Sequence, residues 1–161
     1  MRIDAVVVNS SPLITLFRSG QADLLPRLFQ RVVVPDAVWD EVIAGGHRDV
    51  AAENLAIQTW ALRDAVPVSQ PVSAWNLGAG ETSVLSYALA HPPLRAVIDD
   101  ADARRCARTL GIPFLGAGGV LLLAKRRGLI VSVSGGVQRL RDAGLWLSDD
   151  LVRLLKTQAG E

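Results

Sequence analysis

Short runs of β-branched residues alternate along this chain with longer amphipathic segments, a pattern that belongs to a parallel sheet covered by helices. The spacing predicts strands over Ala5–Val8, Val32–Val34, Ala65–Val68, Ala96–Ile98 and Pro113–Leu115, each ahead of a helical pattern. Pro35-Asp36 open a helix with Val38, Val42 and Ile43 as its buried stripe, and Gly45-Gly46 stop it. A longer helix is expected over Asp49–Leu62. The next begins after Gly78-Ala79-Gly80, with Val84, Leu85, Ala88 and Leu89 on one face. Ala103, Cys106, Ala107 and Leu110 line another, which Gly111 ends as a C′ glycine. Val120–Lys125 follows the last strand, and helices over about 136–143 and 149–156 complete the pattern, the latter with Ser148 as N-cap. The fold class is α/β, with a central parallel sheet of four or five strands.

With half of its 161 residues apolar, the chain can bury one good core and is most simply one domain over 1–161, its core at about 3–130 and its last helices at 134–158. The lone Cys106 permits neither an internal disulfide nor a cysteine-rich zinc cage, so a reducing, cytoplasmic setting is expected. The first apolar run, Ala5 to Val8, is too short for a signal peptide, and no stretch reaches the ~18 uninterrupted apolar residues of a membrane span. Net charge is +1, yet residues 1–94 carry six Lys/Arg against nine Asp/Glu while residues 95–161 carry eleven against seven. Eight cations and no acid lie from Arg104 to Arg141, a stretch that either attracts phosphates or simply solvates helix faces, the second being favoured on charge alone. The four tryptophans, Trp39, Trp60, Trp75 and Trp146, lack the spacing of a base-stacking platform and are expected to pack in the core or at its rim.

In open parallel sheets ligands bind outside the carboxyl ends of the strands. There the first strand delivers Asn9-Ser10-Ser11 with Pro12 as a helix N1 residue, the second leads to Glu41, Glu81 opens the helix after the glycine pair, and the fourth strand ends in Asp99-Asp100. Carboxylates gathered at one edge repel unless a cation offsets them or they protonate. Oxygen ligands suit a hard ion, Mg²⁺ or Mn²⁺, and the chemistry such an ion supports is phosphodiester hydrolysis. Each residue also has a bland role. Asp36 reads as a helix cap; Glu81 in a first turn gains about 0.3 to 1 kcal/mol from the helix dipole; Asp100 either caps its helix or pairs with Arg104 at i,i+4. Gly116-Ala117-Gly118-Gly119 has Leu121 where a dinucleotide loop needs its third glycine, and neither His47 nor His91 has a nucleophile placed beside it.

VVVNSSPLITL, VPDAVWDEV, LGAGETSVLSYA, VIDDADARRCARTLGI and GAGGVLLLAKRRGLI, in that order from about Val6 to Ile130, together with the tail AGLWLSDDLVRLL, resemble small prokaryotic PIN-domain proteins, toxin-like nucleases. The resemblance implies a three-layer α/β/α PIN-like domain and an Mg²⁺- or Mn²⁺-dependent ribonuclease with an acidic cluster. It also implies RNA as substrate and, for many members, a small antitoxin as partner. It places Glu41, Glu81 and Asp99 or Asp100 at the family's second, third and fourth acidic positions, and Arg104 as an arginine that orients the last acid. The first position, normally Asp, is Asn9 here, so the resemblance implies weaker metal binding, with Ser10 or Ser11 helping through a metal-bound water. The leading expectation is an endoribonuclease, toxin-like, with Glu41, Glu81, Asp99 and Asp100 as catalytic acids and Asn9, Glu41, Glu81 and Asp99 as metal ligands, the cations from Arg104 to Arg141 holding RNA. The other is a PIN module that has lost catalysis and binds nucleic acid or protein. Leu151, Leu154 and Leu155 are compatible with core, a homodimer seam or an antitoxin groove, with core favoured.

Overall fold

The computed structural model describes residues 3–45 and 49–161, so Gly46, His47 and the end of the expected Gly-Gly helix stop lie outside the described residues. Among those described, five strands form one all-parallel sheet in the order β3-β2-β1-β4-β5. These are β1 (Ile3–Val8), β2 (Phe29–Pro35), β3 (Ala61–Asp64), β4 (Arg95–Val97) and β5 (Phe114–Leu115). Helices cover the sheet in a three-layer α/β/α arrangement. Val6, Val7 and Val8, and Val32, Val33 and Val34, are buried without alternation, as strands covered on both faces must be.

The chain runs outward from β1 through β2 to β3, then returns to lay β4 and β5 on the other side of β1. The order therefore reverses between β1 and β4, where Val8 is level with Val97, and a crevice opens at the carboxyl ends of such a pair. The helices that carry polar residues to this edge are α1 (Ser10–Arg18), α3 (Asp36–Ile43), α6 (Ala79–Ala90), α7 (Ala101–Leu110) and α8 (Ala117–Arg126). The others are α2 (Leu24–Leu28), α4 (Val50–Leu55), α5 (Gln70–Ser73), α9 (Val133–Asp142) and α10 (Asp149–Gln158).

Several elements differ from the sequence reading. The helix expected over Asp49–Leu62 ends at Leu55, and after a turn its last two residues, Ala61 and Leu62, open β3, so the strand expected at Ala65–Val68 lies four residues earlier. Tertiary pairing decides this: β3 is an edge strand registered on β2 from Val32↔Ala61 to Pro35↔Asp64, and an edge tolerates the exposed, weakly apolar Leu62-Arg63-Asp64. Pro67 further weakens the Val66-Pro67-Val68 run as a strand, since it offers no N–H. Helix α1 begins at Ser10, two residues before Pro12. Helices α2 and α5 gave no periodic signal, being five and four residues long. Asp36 makes no cap bond; it opens α3 and pairs instead with Arg63 at 2.6 Å. The Ser148 cap of α10 and the left-handed Gly111 after α7 stand as expected. Leu155 is buried and packs on Gly118, Leu151 is half-buried, and Leu154 is exposed. Three tryptophans are half-buried, but Trp146 is 83% exposed and does not pack. No helix among the described residues is long and apolar enough to cross a membrane.

Candidate functional site

Asn9 follows β1 and occupies the N-cap position of α1, yet its side chain makes no cap bond. Asparagine at that position ordinarily accepts from the N2 or N3 amide. Here the carboxamide is turned the other way: Nδ2 donates to Glu81 Oε1 at 3.3 Å, while Oδ1 is buried without a hydrogen-bond partner. A buried acceptor left bare costs about 1 to 3 kcal/mol, so the position is held for something other than helix capping.

Glu41 comes to the same place from α3. Its Oε2 accepts from the Ser10 hydroxyl at 2.6 Å and its Oε1 from the Gly80 N–H at 3.1 Å. A Cβ on Gly80 would lie 2.7 Å from Glu41 Oε2 and 3.1 Å from Asn9 Oδ1, so both oxygens press on the bare face of that glycine. Two residues earlier, a Cβ on Gly78 would meet Glu81 Oε2 at 2.6 Å. The pair Gly78 and Gly80 thus lets the first turn of α6 approach three oxygen-bearing side chains. The sequence reading took these glycines only as a helix start; a Gly-x-Gly-acid run after a turn was the signal for the closer packing.

Asp99 lies beyond β4 and is turned toward β5. Its carboxylate accepts from Arg104 at 3.3 Å and from the Ala117 N–H at 3.2 and 3.4 Å, and it touches the bare face of Gly116. Burial pushes its carboxyl above the usual range, while Arg104 and the Ala117 amide pull the other way. Arg104 is itself fixed, donating from Nε to the Ile98 carbonyl at 3.2 Å and lying over the Phe114 ring. Of the two roles open to Asp100, the structure has the cap: Oδ2 accepts from Ala103 N–H at 2.9 Å, and Arg104 bonds Asp99. Asp100 also lines a cavity of about 580 Å³ together with Glu81. Ser11 is exposed, its carbonyl accepting from Thr15 Oγ1 at 2.7 Å.

The structure therefore pairs Asn9 with Glu81 and Ser10 with Glu41, brings Asn9 and Glu41 together around Gly80, and holds Asp99 in a separate set of bonds. Among the described residues no three His, Cys, Asp or Glu side chains are grouped to hold a metal ion. Two carboxylates with one carboxamide oxygen still fit Mg²⁺ or Mn²⁺, which take one or two carboxylates and keep several waters. The unpartnered Asn9 Oδ1 beside the Glu41 carboxylate is the structural sign of that fit.

The cationic stretch disperses once folded. Arg105 pairs with Asp102, Lys125 with Glu161, and Arg141 with Asp149, while Arg108 lies over Phe114. Arg126 and Arg127 are exposed at the end of α8, about 15 Å along the helix from its start beside Asp99. His91 stacks on Tyr87 and bonds the Tyr87 carbonyl, a packing role.

A sequence model described as PIN domain matches residues 5–161. The chain belongs to the PIN-domain family. PIN domains are a nuclease-type fold that generally uses divalent metal ions and binds nucleic acid. In this PIN domain the match runs from within β1 to beyond α10, so the crevice between β1 and β4 lies inside the family's own fold. Among curated proteins no relative matches the chain.

Proposed function

We propose that this PIN domain is a divalent-metal-dependent endoribonuclease whose ion is held by Asn9, Glu41 and Glu81. The observation that carries the reading is Asn9 Oδ1, buried and unpartnered against the Glu41 carboxylate, on a side chain that forgoes the cap its position offers. When bound, Mg²⁺ or Mn²⁺ supplies Lewis-acid polarisation of a phosphoryl oxygen and a nucleophilic water at neutral pH. The chain's own residues do the positioning. Ser10 and the Gly80 N–H fix both oxygens of Glu41. Arg104 and the Ala117 N–H fix Asp99 at the neighbouring strand end, and a carboxylate there would serve as the base for the attacking water. Arg105 lines the same cavity as Glu81 and Asp100 but is paired there with Asp102.

A second reading, a PIN module without catalysis that binds nucleic acid or protein, draws on the same residue. Asn9 brings no charge, and its amide already occupies one oxygen of Glu81. The two separate in one experiment: mixed RNA incubated with the purified protein in Mn²⁺, Mg²⁺ or EDTA, beside Glu81→Gln and Asp99→Asn. The nuclease reading expects cleavage that needs metal and falls at least about a hundredfold in each variant, the scale of losing one general base or charge stabiliser. Equal cleavage by all three proteins would mark it as contamination and leave the binding module.

A further inference from the structure

The candidate site gathers carboxylates where the strands end, and the opposite edge of the sheet, where they begin, gathers arginines. Arg31, in the first half of β2, is level with Ala5, and Arg95, the first residue of β4, is level with Val6, so the two flank the central strand β1. Arg27 sits on α2, which leads straight into β2 and packs against α8. Helix α8 begins beside Asp99 and after about 15 Å delivers Arg126 and Arg127 to this same edge. Arg27, Arg31, Arg126 and Arg127 are exposed and Arg95 is half-buried. Among the described residues none of the five makes an ion pair or a side-chain hydrogen bond.

Structural roles account for only part of this group. A cation in the last turn of a helix offsets its dipole, which covers Arg27 and Arg126. Charges also guard edge strands, but β2 and β4 are interior strands paired on both sides, so neither Arg31 nor Arg95 has that role. Asp23, at the N-cap position of α2, is exposed and bonds none of them, while Asp49 is engaged by Arg18 and Glu161 by Lys125 and the start of α9. Guanidinium groups left without carboxylates match phosphate oxygens through paired N–H bonds. We propose that the amino edge of the sheet is a second RNA surface, on which these five arginines hold backbone phosphates away from the bond that is cleaved. Nucleic acid is the polyanion that PIN domains generally bind. The acidic crevice repels phosphate until a metal is bound, and a cationic edge supplies the attraction it lacks. At ~3.4 Å per stacked nucleotide, a strand covers the length of α8 with roughly four to five nucleotides. The inference rests on the nuclease reading for its substrate, but binding in EDTA is measured apart from cleavage.

The test is anisotropy binding of labelled oligouridylate in EDTA across a salt titration, followed by cleavage of the same strand in Mn²⁺. For a single strand, log affinity falls with log salt by about 0.7 for each phosphate held. Arg126→Ala with Arg127→Ala should therefore flatten the slope by about 1.4 and weaken low-salt binding about tenfold, and Arg27→Ala with Arg31→Ala should do the same. Lysine at the same positions keeps the charge and should restore the slope, which also keeps the test readable if alanine lowers the melting temperature. Arg139→Ala removes an exposed cation from the last turn of α9 and should leave the slope as it was. In Mn²⁺ each double variant should raise KM with kcat kept, and the rise should vanish for strands too short to span α8. No binding in EDTA, a slope untouched by either double variant, or an equal loss in Arg139→Ala overturns the proposal. So does binding to phosphatidylserine vesicles but not to RNA, which assigns the edge to a membrane surface. Flattened slopes without any cleavage leave the proposal standing and remove the nuclease, whereas metal-dependent cleavage with KM unchanged in both double variants does the reverse.

Discussion

At Asn9 the fold and the chemistry make opposite demands. Asp at this position would add a third carboxylate to Glu41 and Glu81, and like charges about 4 Å apart repel by roughly 4 kcal/mol at an effective dielectric near 20. The carboxamide avoids that repulsion and donates to Glu81. Asn9→Asp is therefore expected to lower the melting temperature by several degrees in EDTA and to gain more from Mn²⁺ than the parent does, read as the metal-dependent shift in thermal melts. A metal-dependent shift no larger than the parent's would mean that the ion does not sit against this side chain. Gly80 is the complementary case. Its missing Cβ lets Glu41 and Asn9 close in, and the atoms a methyl would strike are the ends of side chains. Gly80→Ala should thus keep stability within about 1 kcal/mol, since alanine also favours the helix, while Mn²⁺ affinity by titration calorimetry falls about tenfold. Unaltered affinity would show that the glycine serves packing alone.

At the scale of elements, α9 is tied down by Glu161. The carboxylate accepts from the Val133 and Ser134 amides and from the Ser132 and Ser134 hydroxyls, so it satisfies donors that a helix start leaves bare. These bonds hold its carboxyl down at about 2, from an ordinary 4.5. The depressed acid stabilises the fold above about pH 4.5, and that contribution is lost as pH falls from there through about 2. Glu161→Gln should therefore be less stable than the parent at pH 7, and urea melts should show the gap narrowing toward pH 3. A gap that widens in acid would contradict the assignment. None of this was legible in the sequence, because Glu161 is 28 residues from the amide it caps, whereas the Ser148 cap, three residues from its partner Leu151, was.

Across the whole molecule, buried residues from β1 to α10 form one cluster. Leu121 of α8 is fully buried, and α9 presents Gly136 to it so closely that a Cβ there would lie 2.9 Å from Leu121 Cδ1. Buried Gln21 donates to the Gly136 carbonyl at 3.2 Å. With backbone on one flank the site cannot collapse freely, so Leu121→Ala should cost about 2 to 5 kcal/mol in urea unfolding with an unchanged m-value. A loss below about 1 kcal/mol would mean that α9 moves in to fill the space.

The sequence by itself determined the fold class, four of the five strand positions, and the Ser148 and Gly111 helix ends. Those follow from local periodicity and from cap chemistry a few residues long. Only the tertiary structure decided that Ala61–Asp64 is a strand, that Asn9 faces Glu81 in preference to capping α1, and that Asp99 rather than Asp100 takes Arg104. Each of these depends on a partner distant along the chain: β2 for an edge strand with no strong pattern of its own, the bare glycines of α6 for the Glu41–Asn9 approach, and the Ala117 amide for Asp99. Hydrogen bonds and close packing of that kind act over a few ångströms in space, and a sequence pattern reports only neighbours along the backbone.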